Sequence, residues 1–137
     1  MPDYTKINLK RDVEDMAPKF GYSPQMESRF ARTNLGLEQS GFSYFKLEPD
    51  YRAPFGHTHG TQEELYVVIA GSALLNLDGD EVELGKLEAV RIPPGMKRGL
   101  QAGPDGLELL AFGAPNTENK DTEMTMGWWS DEEPSED

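Results

Sequence analysis

The sequence of 137 residues predicts an all-β fold, an antiparallel sandwich or jelly-roll barrel, on three observations. From Gln39 to Pro115, short β-rich runs alternate with turn-forming Gly, Pro and Asp residues. No helical periodicity separates these runs. Both histidines of the chain, His57 and His59, stand two positions apart, so an extended segment projects their imidazoles from one side.

The elements follow in order. Gln39 to Leu47 is rich in aromatic residues and ends at Glu48-Pro49-Asp50, a break suited to a loop. The His57 segment leads into Leu65-Tyr66-Val67-Val68-Ile69-Ala70. Strand alternation there puts Glu64, Tyr66 and Val68 on one face and Leu65, Val67 and Ile69 on the other, with Glu63 pointing away. Leu74 to Leu84 is a hairpin in outline, because Asp78-Gly79 supplies the positive backbone angles of a tight primed turn. Ala89 to Ile92 and Leu107 to Phe112 are further strands, with Pro93-Pro94-Gly95 and Ala102-Gly103-Pro104-Asp105-Gly106 as turns. A slip of one residue in Leu107 to Phe112 reverses the face of Glu108, so an inward Glu108 neutralising Arg98 stays open.

The ends differ from this core. Ser23-Pro24 reads as a cap and first-turn proline of a helix running to about Thr33, with Met26 and Phe30 one turn apart and Gly36 ending it. That helix is expected on the barrel's outside, and Asp12 to Met16 gives a weaker helical turn. From Ala114 onward there are eight acids against the single Lys120, giving −7 of the net −12. The run Asp131 to Asp137 reads as a solvated tail. Trp128 and Trp129 need cover, either on the barrel or on a neighbouring subunit, with a lid over a pocket as the alternative. The expected organisation is an N-terminal extension over 1–38, a barrel over 39–115 and an acidic tail over 116–137.

Bulk properties bound the function. The length suits one domain with one core. The chain has no cysteine, which excludes disulfides and thiolate metal sites. A net charge of −12 argues against nucleic acid as a partner. With no basic-flanked apolar leader and no run long enough to cross a bilayer, a soluble cytoplasmic protein without a membrane partner is expected. No nucleotide-binding glycine pattern or partnered nucleophile appears.

The segment His57-Thr58-His59-Gly60-Thr61-Gln62-Glu63-Glu64, with six residues between Glu64 and Gly71, resembles the first motif of the cupin superfamily. Ile92-Pro93-Pro94-Gly95-Met96-Lys97-Arg98 resembles the second motif, where the family usually has a proline-containing turn followed by a fourth histidine ligand. Arg98 takes that position here. The resemblance implies a jelly-roll barrel over about Gln39 to Pro115, a metal set of His57, His59 and Glu64, and pairing into a homodimer through sheet edges, which the aromatic pair could also serve. Candidate metals are zinc, nickel, manganese and ferrous iron, since imidazole and carboxylate exclude few of them.

Arg98 limits that implication. A guanidinium has no lone pair to donate and stays charged. At about 4 Å and an effective dielectric of about 20, a unit pair is worth roughly 4 kcal/mol, so a dication meets roughly twice that in repulsion from an inward Arg98, offsetting its attraction to Glu64. An Arg98 turned to solvent leaves the three-ligand face open. Three readings follow. One is a metal-dependent enzyme, with Tyr66 or Arg98 orienting an anionic substrate. Another is a binding module in which Arg98 and the histidines hold the carboxylate or phosphate of a small, anionic metabolite without metal. The last is a surface interaction protein whose barrel is filled, with Glu64 simply paired to Arg98.

Overall fold

Eight antiparallel strands curl into a jelly-roll barrel in the computed structural model, whose described residues are 3–114 and 122–129. They are β1 (Met26–Phe30), β2 (Gly41–Leu47), β3 (Phe55–His59), β4 (Glu64–Leu77), β5 (Asp80–Leu84), β6 (Ala89–Ile92), β7 (Arg98–Gly113) and β8 (Thr122–Met126). Short helical turns α1 (Leu9–Asp12), α2 (Ala17–Phe20) and α3 (Arg32–Leu35) lie toward the N-terminus. Among the described residues no helix is long and apolar enough to cross a membrane. The acidic run from Asp131 to Asp137 lies outside the described residues.

β7 organises the sheet, pairing with β2, β3 and β4. Its inward positions Leu107, Leu109 and Ala111 alternate with outward ones and pack with Leu47, Val68 and Tyr66 in the core. The alternation expected for the segment after Glu64 holds, with Tyr66 and Val68 buried and Leu65 exposed. Asp78 and Gly79 carry the positive φ of the hairpin turn, 51° and 100°, between Leu77 and Asp80.

Three expectations are corrected. Residues 26–30 form β1 rather than a helix, because pairing with β2 places Met26 and Ser28 on the barrel's inside. The helix that Gly36 ends is only α3. Helical turns flank residues 13–16 instead of covering them. The stretch from Ala102 to Gly106 does not separate two strands but bends one: β7 pairs with β4 on both sides of it, with register shifts between Val68 and Ala70 and between Gly71 and Ala73. The sheet thus takes in β1 and β8, both beyond 39–115.

At that bend the two backbones touch. A Cβ on Gly71, whose φ is +71°, would lie 2.0 Å from the Gly106 carbonyl oxygen. Gly79 also has positive φ but nothing within 4 Å of its added Cβ. Gly79→Ala is therefore expected to cost only the left-handed backbone penalty, about 1 kcal/mol. Gly71→Ala should cost at least about 2 kcal/mol, since the carbonyl must also move. Urea unfolding of the two variants checks this, and equal losses would contradict the close-packed bend.

Candidate functional site

Three strands and one turn bring the sequence-predicted residues together. His57 and His59 lie on the same face of β3, Glu64 opens β4 with Tyr66 two residues on, and Arg98 opens β7 directly opposite His57 in the register. The turn Pro93-Pro94-Gly95 is possible because Gly95 adopts φ +84°, and its Gly95 N–H donates to the His59 carbonyl at 2.7 Å. That bond ties the turn before Arg98 to the strand carrying the histidines.

One oxygen is the meeting point. Glu64 Oε1 lies 3.2 Å from His59 Nε2 and 3.5 Å from His57 Nε2. It also accepts from Arg98 Nη1 at 2.5 Å and from the Tyr66 hydroxyl at 3.5 Å. The rest of the guanidinium is held by its own turn: Nη2 donates to the Met96 carbonyl at 2.8 Å and to the Pro93 carbonyl at 3.3 Å, and Nε to Met96 at 3.2 Å. The Arg98 side chain is 1% exposed and Glu64 13%. A buried cation is tolerated here because a carboxylate and two carbonyls replace its water.

Burial raises the Glu64 carboxyl, but the hydrogen bonds from His57 and His59 and their electrostatic attraction outweigh it, holding the group well below the ordinary carboxylate range. Burial, followed by the Glu64 charge, pushes the Tyr66 phenol well above its ordinary value, so it stays a proton donor. Glu108 does not face Arg98. It accepts from the Tyr44 hydroxyl, opposite the face that Leu107 and Leu109 turn to the core. Glu63 points outward toward Arg91.

This polar end closes a cavity of about 510 Å³. Its walls include residues that sequence reasoning placed elsewhere or did not single out: Phe20, Tyr22, Met26, Phe45, Phe55 and Met124. The alternation Met26-Ser28-Phe30, with charged Glu27 and Arg29 between, was the available signal for the β1 wall.

Trp128 and Trp129 dock on this chain's own barrel. A Cβ on Gly56 would lie 2.2 Å from Trp128 Cε3, and one on Gly99 would lie 2.8 Å from Trp129 Cε3 and 3.1 Å from Trp128 Cζ3. Those glycines adjoin His57 and Arg98, so the indoles brace β3 and β7 from behind the site. Arg52 stacks on the Trp129 ring at 4.3 Å and donates to its carbonyl at 3.2 Å. β8 pairs along all of β3, with Met124 opposite His57.

No family model matches the chain. An uncharacterised protein of Methanocaldococcus jannaschii is 32% identical over 69 residues, which are 50% of this chain and 55% of that protein. The match thus spans about half the length of that relative. A cupin protein of Bacteroides fragilis is similar in structure, with a TM-score of 0.68 and 23% identity, over 88% of this chain and 91% of that one. A variant of a Streptomyces nucleoside dehydratase, with uridine, gives a TM-score of 0.69 at 14% identity over 93% of each chain. Oxalate decarboxylase of Bacillus subtilis gives a TM-score of 0.70 at 16% identity, over 88% of this chain and 32% of that enzyme. At these identities the likeness is one of fold. The structural neighbours include cupin proteins, and the barrel described above is a jelly roll of the kind they share.

Two outcomes are expected of the buried pair. Glu64→Gln should cost about 3–5 kcal/mol, because it leaves the Arg98 cation buried without a counter-charge, and Arg98→Met less, because His57, His59 and Tyr66 still face the Glu64 carboxylate. The double variant should fall short of the sum by at least about 1 kcal/mol in urea unfolding, whereas additivity would show that the two side chains act independently.

The second outcome concerns acid. A carboxyl held below its ordinary 4.5 adds stability that is fully present above that value and is lost as pH falls below it. In metal-free protein, the stability gap between wild type and Glu64→Gln should narrow on acidification from about pH 6 to pH 3. A gap that stays constant across that range would contradict an ionised Glu64.

Proposed function

We propose that the barrel is a small-molecule site whose polar end works without a resident divalent metal, with Arg98 in the place that cupins give to a fourth ligand. One observation carries this reading: Arg98 Nη1 lies 2.5 Å from the same Glu64 oxygen that faces both imidazoles. In kind and spacing the other donors suit a metal, since one ligand atom from each of His57, His59 and Glu64 lies within 4.8 Å of the others. Arg98 does not suit it. A dication about 4 Å from the guanidinium meets roughly 8 kcal/mol of repulsion at an effective dielectric of about 20, and the turn carbonyls hold the guanidinium in place. The donor set and its neighbour therefore do not fit a resident metal while Arg98 grips Glu64.

What the site offers instead is an oriented imidazole. Glu64 and Tyr66 fix the polar end, and His57, at 21% exposure the more open of the two imidazoles, faces the cavity. An imidazole whose Nε2–H is held by an ionised carboxylate can accept or return a proton at its other ring nitrogen, Nδ1, or hydrogen-bond a bound group there without turnover. The Streptomyces neighbour, a nucleoside dehydratase with uridine, supports small-molecule chemistry as a use of this barrel. A cavity of about 510 Å³ counts against a filled barrel acting only through its surface. Arg98 as the grip for an anionic metabolite has less support, because such a ligand must first displace Glu64.

The convergence of three ligand atoms favours a second reading, a centre for zinc, nickel, manganese or ferrous iron on His57, His59 and Glu64. Calorimetric titration of chelator-treated protein with each ion separates the two. The metal-free reading expects dissociation constants weaker than about 10 μM for the wild type. Arg98→His should tighten binding by about 100-fold. One equivalent of tightly held metal on wild-type protein would overturn it in favour of the second reading.

A further inference from the structure

We propose that the pocket takes a flat aromatic molecule bearing a neutral hydroxyl group, with its ring against Tyr22 and Phe55 and its hydroxyl at His57. The inference deepens the reading above and rests on its metal-free polar end. Its first support is a continuous ladder of rings along one wall. Phe20 and Tyr22 have centroids 6.2 Å apart, Tyr22 and Phe55 stack at 5.2 Å with planes 30° apart, and Phe55 and His57 are 6.4 Å apart. His57 then meets His59 edge to face at 5.1 Å. All five rings line the cavity, and the ladder descends from Phe20, 52% exposed, to His59, 7% exposed. Met26, Phe45, Leu100, Leu109 and Met124 are further apolar lining. A wall of ring faces and edges favours an inserted ring over an aliphatic chain of equal area, because offset and edge-to-face contacts add to burial.

Charge supplies the second support. Among the described residues, and apart from the imidazoles, Glu64 and Arg98 are the only ionisable side chains lining the cavity that carry charge at neutral pH, and they are bonded to each other. The remaining bonds from Arg98 go to Pro93 and Met96 carbonyls, so a ligand carboxylate or phosphate meets an anionic Glu64 beside a committed cation. A ligand ammonium meets a carboxylate oxygen already facing four donors. A neutral hydroxyl asks for neither exchange. It needs one partner at the junction of the ladder and the polar end, and His57 stands there: its Nε2–H is turned to Glu64, which leaves Nδ1 to accept from the hydroxyl.

The test is calorimetric titration of full-length, chelator-treated protein with 2-naphthol, naphthalene-2-carboxylate, 2-naphthylmethylammonium, 2-methoxynaphthalene and decahydro-2-naphthol. The expected result is that 2-naphthol binds at least about tenfold tighter than each of the others, since a site arranged around a ligand hydroxyl and a ring rejects analogues lacking either. Phe55→Ala should weaken 2-naphthol at least about tenfold. His57→Ala should erase the preference for 2-naphthol over its methyl ether while both still bind. Tighter binding of the carboxylate or the ammonium compound would overturn the neutral-ligand inference, and equal binding of decahydro-2-naphthol would overturn the aromatic one. Absence of heat with 2-naphthol up to its solubility limit would overturn both. Repeating the titration with added Zn²⁺ separates this failure from that of the underlying reading: 2-naphthol binding that appears only with the ion would overturn the metal-free site itself.

Discussion

The ion pair between Arg98 and Glu64 is the constraint on which the site depends. Arg98 is among the most deeply buried side chains of the protein, in the company of Leu47, Leu75 and Leu109. Burying a guanidinium is unfavourable unless its charge and its N–H groups are matched. The fold matches them with parts far apart in sequence, taking the carboxylate from the first residue of β4 and the carbonyls from the turn before β7. Because the same carboxylate oxygen faces both imidazoles, the pair that satisfies Arg98 also sets where His57 and His59 point. Stability and site geometry are thus one problem here.

The barrel divides its interior between this polar end and an apolar chamber walled by rings from several elements. The strand carrying the histidines contributes to both. β3 meets β7 in register at His57 and Arg98 and is paired along its length by β8. The segment from β8 to Trp129 therefore belongs to the site's framework, since it covers an edge that would otherwise present unpaired backbone and it packs indoles against Gly56 and Gly99. Both positions need glycine for that approach, one residue away from a site residue on each strand.

Much of the architecture was legible in the sequence because its signals are local. Asp78-Gly79 dictates a turn whatever surrounds it, and the alternation of Glu64, Tyr66 and Val68 allows only one face to be inward. The spacing of His57 and His59 sends both imidazoles to one side, and the later Arg98 meets them through the β3 and β7 register. What escaped depends on tertiary partners. Met26 and Phe30, four apart, satisfy both a helical turn and alternate strand positions, and pairing with β2 decided for the strand. Ala102 to Gly106 has the composition of a turn, yet β4 runs alongside through the bend and keeps β7 one strand. The direction of Arg98 and the face of Glu108 rest on register and packing, which no short window of sequence contains. The aromatic ladder joins Phe20, Tyr22, Phe55 and the histidines only after the barrel closes.

The central claim is most directly tested by nitrogen-detected NMR of the Arg98 guanidinium in metal-free protein. A guanidinium locked on Glu64 and two carbonyls should show resolved Nη resonances, slow rotation about its Nε–Cζ bond and slow exchange with water. A single averaged Nη signal exchanging as fast as that of a surface arginine would contradict the account, because it would place the cation in solvent and leave Glu64 to another partner.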